Sequence, residues 1–248
     1  MKAIYEYLEI SAKNTPRKIA IIEGNNTISY EELLKKTKIV SENIKKKTDL
    51  GQVISLLSEN SIEFIIAYFG IMMSGNIVHL IPPNSSEKQI LYQIQQVNPF
   101  SILCSETMKK KIDRIGYKHE IISSIINNSN SQINQDNKYR FNEISSVIFT
   151  SGTTGIPKGV KLKHINIIFT TNNIIKIIGI QPEDIEINSL QLSHSFGLGC
   201  IHTTIARGAT SVIFRNTINL KSIINSIKAH KATGFVGVPT TLQRILDN

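Results

Sequence analysis

The sequence predicts an α/β fold in which helices cover mostly parallel β-sheets. Short β-branched runs alternate with stretches of helical periodicity almost from end to end, the pattern of a parallel sheet with crossover helices. The resulting βαβ rhythm repeats, and Pro82-Pro83 and Pro99 mark breaks between its units. A chain of 248 residues, 41% hydrophobic and 19% charged, is folded rather than disordered and is long enough to bury a sizeable core.

Taken in order, residues 17–23 (RKIAIIE) and 27–29 (TIS) read as a hairpin about Gly24-Asn25-Asn26. Ser29, with Glu32 three residues on, is a capping box that opens a helix from Tyr30 to about Lys46. Asp49-Leu50-Gly51 turns into a strand from Gln52 to Leu57, and Ser61, Phe64, Ile65, Tyr68 and Phe69 then have helical spacing. The most apolar run, Phe64 to Met73, lies between Glu63 and Asn76 and is about half the ~20 residues a membrane span requires. It reads as a buried helix. A strand at Ile77 to Ile81, a helix around Ser86 to Val97 and a strand at Ser101 to Cys104 repeat the rhythm.

Residues 127–138 (NNSNSQINQDNK) are polar and nearly free of large apolar groups, which predicts an exposed loop or linker. This divides the chain into a first α/β subdomain at 1–126, the polar loop at 127–138 and a second α/β portion at 139–248. In the second portion, a strand at Ser145 to Phe149 runs into a Gly/Thr-rich loop and a helix follows from about Ile165 to Ile178. A strand at Ser211 to Phe214, a helix from about Leu220 to Lys231, a strand at Gly234 to Val238 and a helix opening after Pro239 complete the series.

The 28 Lys and Arg outnumber the 19 Asp and Glu to give +9, which allows anionic partners. The lysines are scattered or sit in helical stretches such as Lys35, Lys36 and Lys38, where they form a solvated face, and no aromatic-basic motif points to nucleic acid. Cys104 and Cys200 stand far apart with no CxxC or His-rich spacing, which suggests neither a disulfide framework nor a metal site. Glu6 and Glu9 interrupt the N-terminus where a signal peptide would be apolar. The expectation is a cytoplasmic protein without a membrane span.

The most informative segment is Thr150-Ser151-Gly152-Thr153-Thr154-Gly155-Ile156-Pro157-Lys158-Gly159, directly after a β-branched strand. Its glycines let the backbone turn sharply and approach a ligand, its hydroxyls donate hydrogen bonds, and Lys158 adds a mobile cation. These are the groups that cradle phosphate oxygens. The GxxxxGK[ST] loop of P-loop NTPases does not fit. Counted from Gly152, Pro157 precedes the lysine where that motif has glycine, and Gly159 follows it without a hydroxyl for Mg²⁺.

The segment FTSGTTGIPKGV instead resembles, without a mismatch, the [ST]SGTTGxPKG signature of the adenylate-forming enzymes, the AMP-binding superfamily of acyl-CoA synthetases, luciferases and peptide-synthetase adenylation domains. His164 and Asn166 in LKHINI are similar to the family's HxN at the start of the next helix. LSHSFGLG resembles its HxxG segment and GVPTTLQRIL its VPTxxxxLL segment. TISYEEL and GQVISLLSENSIEFIIAYFGIMMSG resemble its N-terminal part, so the likeness covers nearly the whole chain.

The resemblance implies an AMP-forming ligase. In such enzymes a carboxylate attacks the α-phosphate of Mg·ATP to give an acyl-adenylate and pyrophosphate, and a thiol of CoA or of a phosphopantetheine arm on an acyl carrier protein captures the acyl group. By resemblance, Thr150, Ser151, Gly152, Thr153, Thr154, Gly155 and Lys158 bind the phosphates, and Lys158 also acts on charge that develops during transfer. His194 by resemblance lines the acyl pocket near the α-phosphate. Amino-acid-activating relatives place an aspartate after that histidine, whereas this chain has Ser195 and Phe196, which implies a plain fatty or aryl acid and a place in fatty acid metabolism. Gln191 departs from the proline of many relatives.

The family's remaining motifs have no counterpart in these 248 residues: no YGxTE-like string, no ribose-binding aspartate, no hinge and no C-terminal catalytic lysine. The expectation is therefore the first half of a complete enzyme, truncated within its large N-terminal domain, inactive alone and completed by a C-terminal fragment. Two alternatives stay open. One is a noncatalytic phosphate- or partner-binding remnant of the family, the other a fragment of an amino-acid-activating adenylation domain.

Overall fold

The structure, a computed structural model, describes residues 1–128, 141–150, 157–215 and 220–246. Most of the polar stretch 127–138 therefore lies outside the described residues.

The chain opens with α1 (Glu6–Asn14), which the sequence reading did not specify, and continues into the hairpin of β1 (Ile19–Glu23) and β2 (Asn26–Ser29). Gly24 takes φ +58° in the hairpin turn, a left-handed angle that glycine adopts without steric cost. Ser29 caps α2 (Tyr30–Lys45): its hydroxyl accepts the Glu32 N–H at 3.3 Å, and the Glu32 carboxylate accepts the Ser29 N–H at 3.1 Å. β3 (Val53–Leu57) leads to α3 (Ile62–Met73), capped by Ser61, and then to β4 (Ile77–Ile81). Ser86 and Gln89 form a second capping box at α4 (Glu87–Val97). β5 (Ser101–Cys104), α5 (Glu106–Ile115), β6 (His119–Ile121) and α6 (Ile122–Ile126) follow. Beyond residue 140 come β7 (Ile144–Thr150), β8 (Lys158–Lys163), α7 (His164–Ile178), β9 (Ile185–Asn188), α8 (Ser195–Arg207), β10 (Thr210–Ile213), α9 (Leu220–His230), β11 (Gly234–Val236) and α10 (Pro239–Leu246).

Two sheets result. The six-stranded sheet runs β6-β5-β3-β4-β7-β8, and the five-stranded sheet runs β11-β9-β10-β1-β2. Every pairing is parallel except the two hairpins, β1 with β2 and β7 with β8, as expected of a fold built from βαβ units. Sheet membership crosses the polar segment in both directions: β7 and β8 extend the sheet begun by β3, while β1 pairs with β10.

The main core forms around α3, which packs on α2 and reaches strands of both sheets. All its residues from Phe64 to Met73 are buried, the reason the run is apolar all round rather than on one stripe. Burying each of its large side chains contributes about 1.5–3 kcal/mol. α2 and α3 approach closely because residue 70 is glycine; a Cβ there would stand 2.6 Å from Val40 Cγ1. On the other side, Tyr68 Oη lies 3.0 Å from His202 Nε2 of α8, which ties α3 to the helix beneath the five-stranded sheet. Among the described residues, no helix is long and apolar enough to cross a membrane.

Candidate functional site

In open parallel sheets, ligands bind beyond the carboxyl ends of the strands, and the two sequence-marked segments both follow such ends. β7 reaches its carboxyl end at Thr150, and β8 returns antiparallel with Lys158 opposite Thr150, Gly159 opposite Phe149 and Val160 opposite Ile148. β7 and β8 thus form a pair whose last partners, Thr150 and Lys158, flank the Gly/Thr-rich segment in sequence. Thr150 and Lys158 face each other at its mouth, both exposed. Ser151, Gly152, Thr153, Thr154 and Gly155 lie outside the described residues.

The stem below the mouth is held by side chains from β4 and α4. The Phe149 ring meets His79 edge-on at 5.3 Å and Tyr92 at 6.4 Å between centroids, geometries favoured by aromatic quadrupoles. The Tyr92 hydroxyl donates to the Pro157 carbonyl at 3.1 Å and so fixes the residue before Lys158. Gly159 leaves room for the Phe149 ring, which a Cβ at 159 would meet at 3.1 Å.

His79 itself is fully buried on β4, with Nδ1 2.8 Å from Ser55 Oγ and Nε2 3.2 Å from Gln93 Oε1. The amide oxygen can only accept, which puts the proton on Nε2 and leaves Nδ1 to accept from Ser55. Burial pushes its pKa down to about 4, so the ring is a neutral packing element at pH 7.

His194 sits on the other sheet's side, at the N-terminal end of α8 after β9. Its ring is exposed, as are Ser195 and Phe196, the last at 55%. Its N–H donates to the Gln191 carbonyl at 3.2 Å and its carbonyl accepts from Leu198 N–H at 3.0 Å, so hydrogen bonds on both sides hold the backbone that carries the imidazole. Among the described residues no hydrogen bond or ion pair joins His194 to Lys158.

His164 and Asn166 have structural partners. The His164 ring is buried, accepts the Ile4 N–H at Nδ1 (3.2 Å), meets Tyr5 edge-on at 5.9 Å and is pushed down to about 4 by burial. The Asn166 side-chain oxygen accepts the Lys163 N–H at 3.3 Å and caps α7.

Two residues that sequence reading did not single out help to build these segments. Tyr92 reaches Pro157 from α4, 65 residues away. Asn60, in the Ser58-Glu59-Asn60-Ser61 stretch after β3, holds the backbone that leads to His194. The signal for Asn60 was the SENSIEF string, which marks a strand end and helix start; Tyr92 had none.

Exposed hydroxyl and ammonium groups facing one another above a rigid stem suit a polyphosphate, since hydroxyls and a lysine hold charge on phosphate oxygens. Comparison with known proteins gives a consistent family. The AMP-binding enzyme family matches residues 8–248. The chain is 24% identical over 241 residues to the 2-succinylbenzoate–CoA ligase of Bacillus subtilis, covering 95% of this chain and 49% of that protein. It is 26% identical over 248 residues to bacitracin synthase 3 of Bacillus licheniformis, covering 99% of this chain and 4% of that protein. Among solved structures, it superposes with a TM-score of 0.85 and 22% identity on o-succinylbenzoate coenzyme A synthetase of Bacillus subtilis in complex with ATP and magnesium ion, covering 98% of this chain and 66% of that one.

Proposed function

Because the chain belongs to the AMP-binding enzyme family, we propose that it is the phosphate-binding part of an AMP-forming ligase that activates a carboxylic acid with ATP and passes the acyl group to a thiol. The observation that carries the reading is the anchored hairpin of β7 and β8, which holds Thr150 and Lys158 face to face at the ends of a segment matching the family signature.

In this reading Thr150, Ser151, Gly152, Thr153, Thr154, Gly155 and Lys158 hold the β- and γ-phosphates of Mg·ATP. Backbone N–H groups and hydroxyls fix the polyphosphate, and the Lys158 ammonium stabilises charge that builds on the departing pyrophosphate. His194 orients the acid toward the α-phosphate. The acceptor is CoA or the phosphopantetheine of an acyl carrier protein, and the reaction takes place in the cytoplasm.

Ser195, where amino-acid-activating enzymes resemble one another in having aspartate, favours a plain fatty or aryl acid and a role in fatty acid metabolism. The likeness to bacitracin synthase 3 supports an amino acid as the second reading. The 248 residues span about half of the ligase they match, and the adenine- and ribose-binding motifs are supplied by further polypeptide.

Acid-dependent ATP–pyrophosphate exchange tests this. A panel of fatty, aryl and amino acids is offered to the chain alone and together with a polypeptide carrying those motifs. Exchange only in the combined sample, and with plain acids, is expected. Exchange with amino acids alone would favour the second reading. No exchange with any acid from an associated pair would leave a noncatalytic phosphate- or partner-binding protein.

A further inference from the structure

The stretch from Asn188 to Leu198 joins the end of β9 to α8 and carries His194, yet its central residues belong to no regular element. Two asparagine side chains hold it. Asn188 accepts the Leu190 N–H at 3.1 Å and donates to the Gly197 carbonyl at 2.8 Å. Asn60 lies in the connection that follows β3 of the other sheet, 130 residues away in sequence; its amide nitrogen donates to the Leu190 carbonyl at 2.8 Å and its oxygen accepts the Leu192 N–H at 2.8 Å.

We infer that Asn60 is a positioning residue that sets the place of His194 by bonding the backbone on either side of Gln191, at Leu190 and at Leu192. A carboxamide sets a donor group and an acceptor group side by side, and here each meets its backbone partner, as a neighbouring strand would. The segment so held includes the Gln191 carbonyl, which receives the His194 N–H. That carbonyl also lies against α8, since a Cβ on Gly197 would stand only 2.5 Å from its oxygen. Displacing residues 190–192 therefore displaces both the backbone of His194 and the first turn of α8. Asn60 is 8% exposed, so water does not readily replace its bonds. The functional importance of this clamp rests on the proposed role of His194; its existence does not.

Residue-resolved amide exchange and histidine NMR of the full 248-residue chain test the inference. In Asn60→Ala, exchange protection of the Leu192 N–H is expected to fall roughly tenfold or more, with a parallel loss at the His194 N–H. The His194 imidazole resonance should move while those of buried His79 and His202 stay. Should Asn60→Ala fail to fold, Asn60→Asp decides: it keeps the acceptor for Leu192 but sets a carboxylate against the Leu190 carbonyl, so the His194 signals should shift with Leu192 still protected. Unchanged Leu192 and His194 signals in a folded variant would overturn the inference. So would a loss spread equally over α3 and β4, the mark of a purely structural role. Pyrophosphate exchange judges the functional reading separately, so failure of one is distinguishable from failure of the other.

Discussion

The ring of Phe149 covers the α-carbon of Gly159 so closely that a side-chain carbon on residue 159 would stand 3.1 Å from the ring and 3.3 Å from Val147 Cγ1. Gly159→Ala is therefore expected to lower stability by about 1 kcal/mol, the low end for overpacking where an aromatic ring can yield slightly. Urea unfolding measures it: the midpoint should fall with the slope unchanged. An unmoved midpoint would show that the ring swings away freely.

Lys158 is exposed and has no ion-pair partner among the described residues. Lys158→Ala should leave the unfolding midpoint within about 0.5 kcal/mol of the parent. In a completed enzyme it should lower the rate of AMP formation by roughly 10²-fold while acid binding holds, because the lysine acts on charge that develops during transfer. Equal rates in the two proteins would remove Lys158 from the reaction.

His79, His164 and His202 are buried, and burial pushes them down to about 4, 4 and 3. Below the ordinary value of 6.5 the unfolded chain takes up protons that the folded chain refuses, so stability is lost as pH falls from 6.5 toward 4. Each histidine adds at most about 1.4 kcal/mol per pH unit to that loss. Urea midpoints measured from pH 7 to 4.5 should fall steeply; a flat profile would mean that the folded chain protonates these rings as readily as the unfolded chain does.

Glu186 on β9 acts in the opposite direction. Burial, assisted by nearby Asp184, raises its pKa to about 7, and its Oε1 is buried with no hydrogen-bond partner among the described residues. The folded chain holds this proton more tightly than the unfolded chain, so the stability it allows is present below about 4.5 and is lost as pH rises through 7. Glu186→Gln should raise the unfolding midpoint at pH 8 and change it little at pH 4.5. Up to about pH 7 the three histidines outweigh this one carboxyl, so the parent protein should gain stability from pH 4.5 to about 7.

Local chemistry made much of the fold legible. The Ser29–Glu32 box and the strand bounds Ile77–Ile81 and Ser101–Cys104 stand in the structure where the residues placed them. The all-apolar Phe64 to Met73 run is the buried helix it suggested. β8 was hidden because it is an edge strand whose residues Lys158 to Lys161 are all exposed, so no alternation marks it. α8 was hidden because Gly197 and Gly199 weaken a helical reading that burial of its other residues sustains. Of the candidate site, the chemistry of the Thr150 to Gly159 segment was visible in its glycines, hydroxyls and lysine. Its supports were not, because Tyr92 with Pro157 and Asn60 with Leu190 are pairings over 65 and 130 residues that no local pattern encodes.

The pairing of β1 with β10 has a consequence for synthesis. Ile21 lies beside Ser211, so the first hairpin must wait for almost the whole chain to leave the ribosome before its sheet can close. At about 5–20 residues per second that delay is on the order of 10–40 s, while β3, β4 and β5 can associate much earlier. Throughout it, the apolar side chains of β1 lack the strand that will cover one of their edges. A nascent chain stalled before residue 210 would present that edge to chaperones or to other chains.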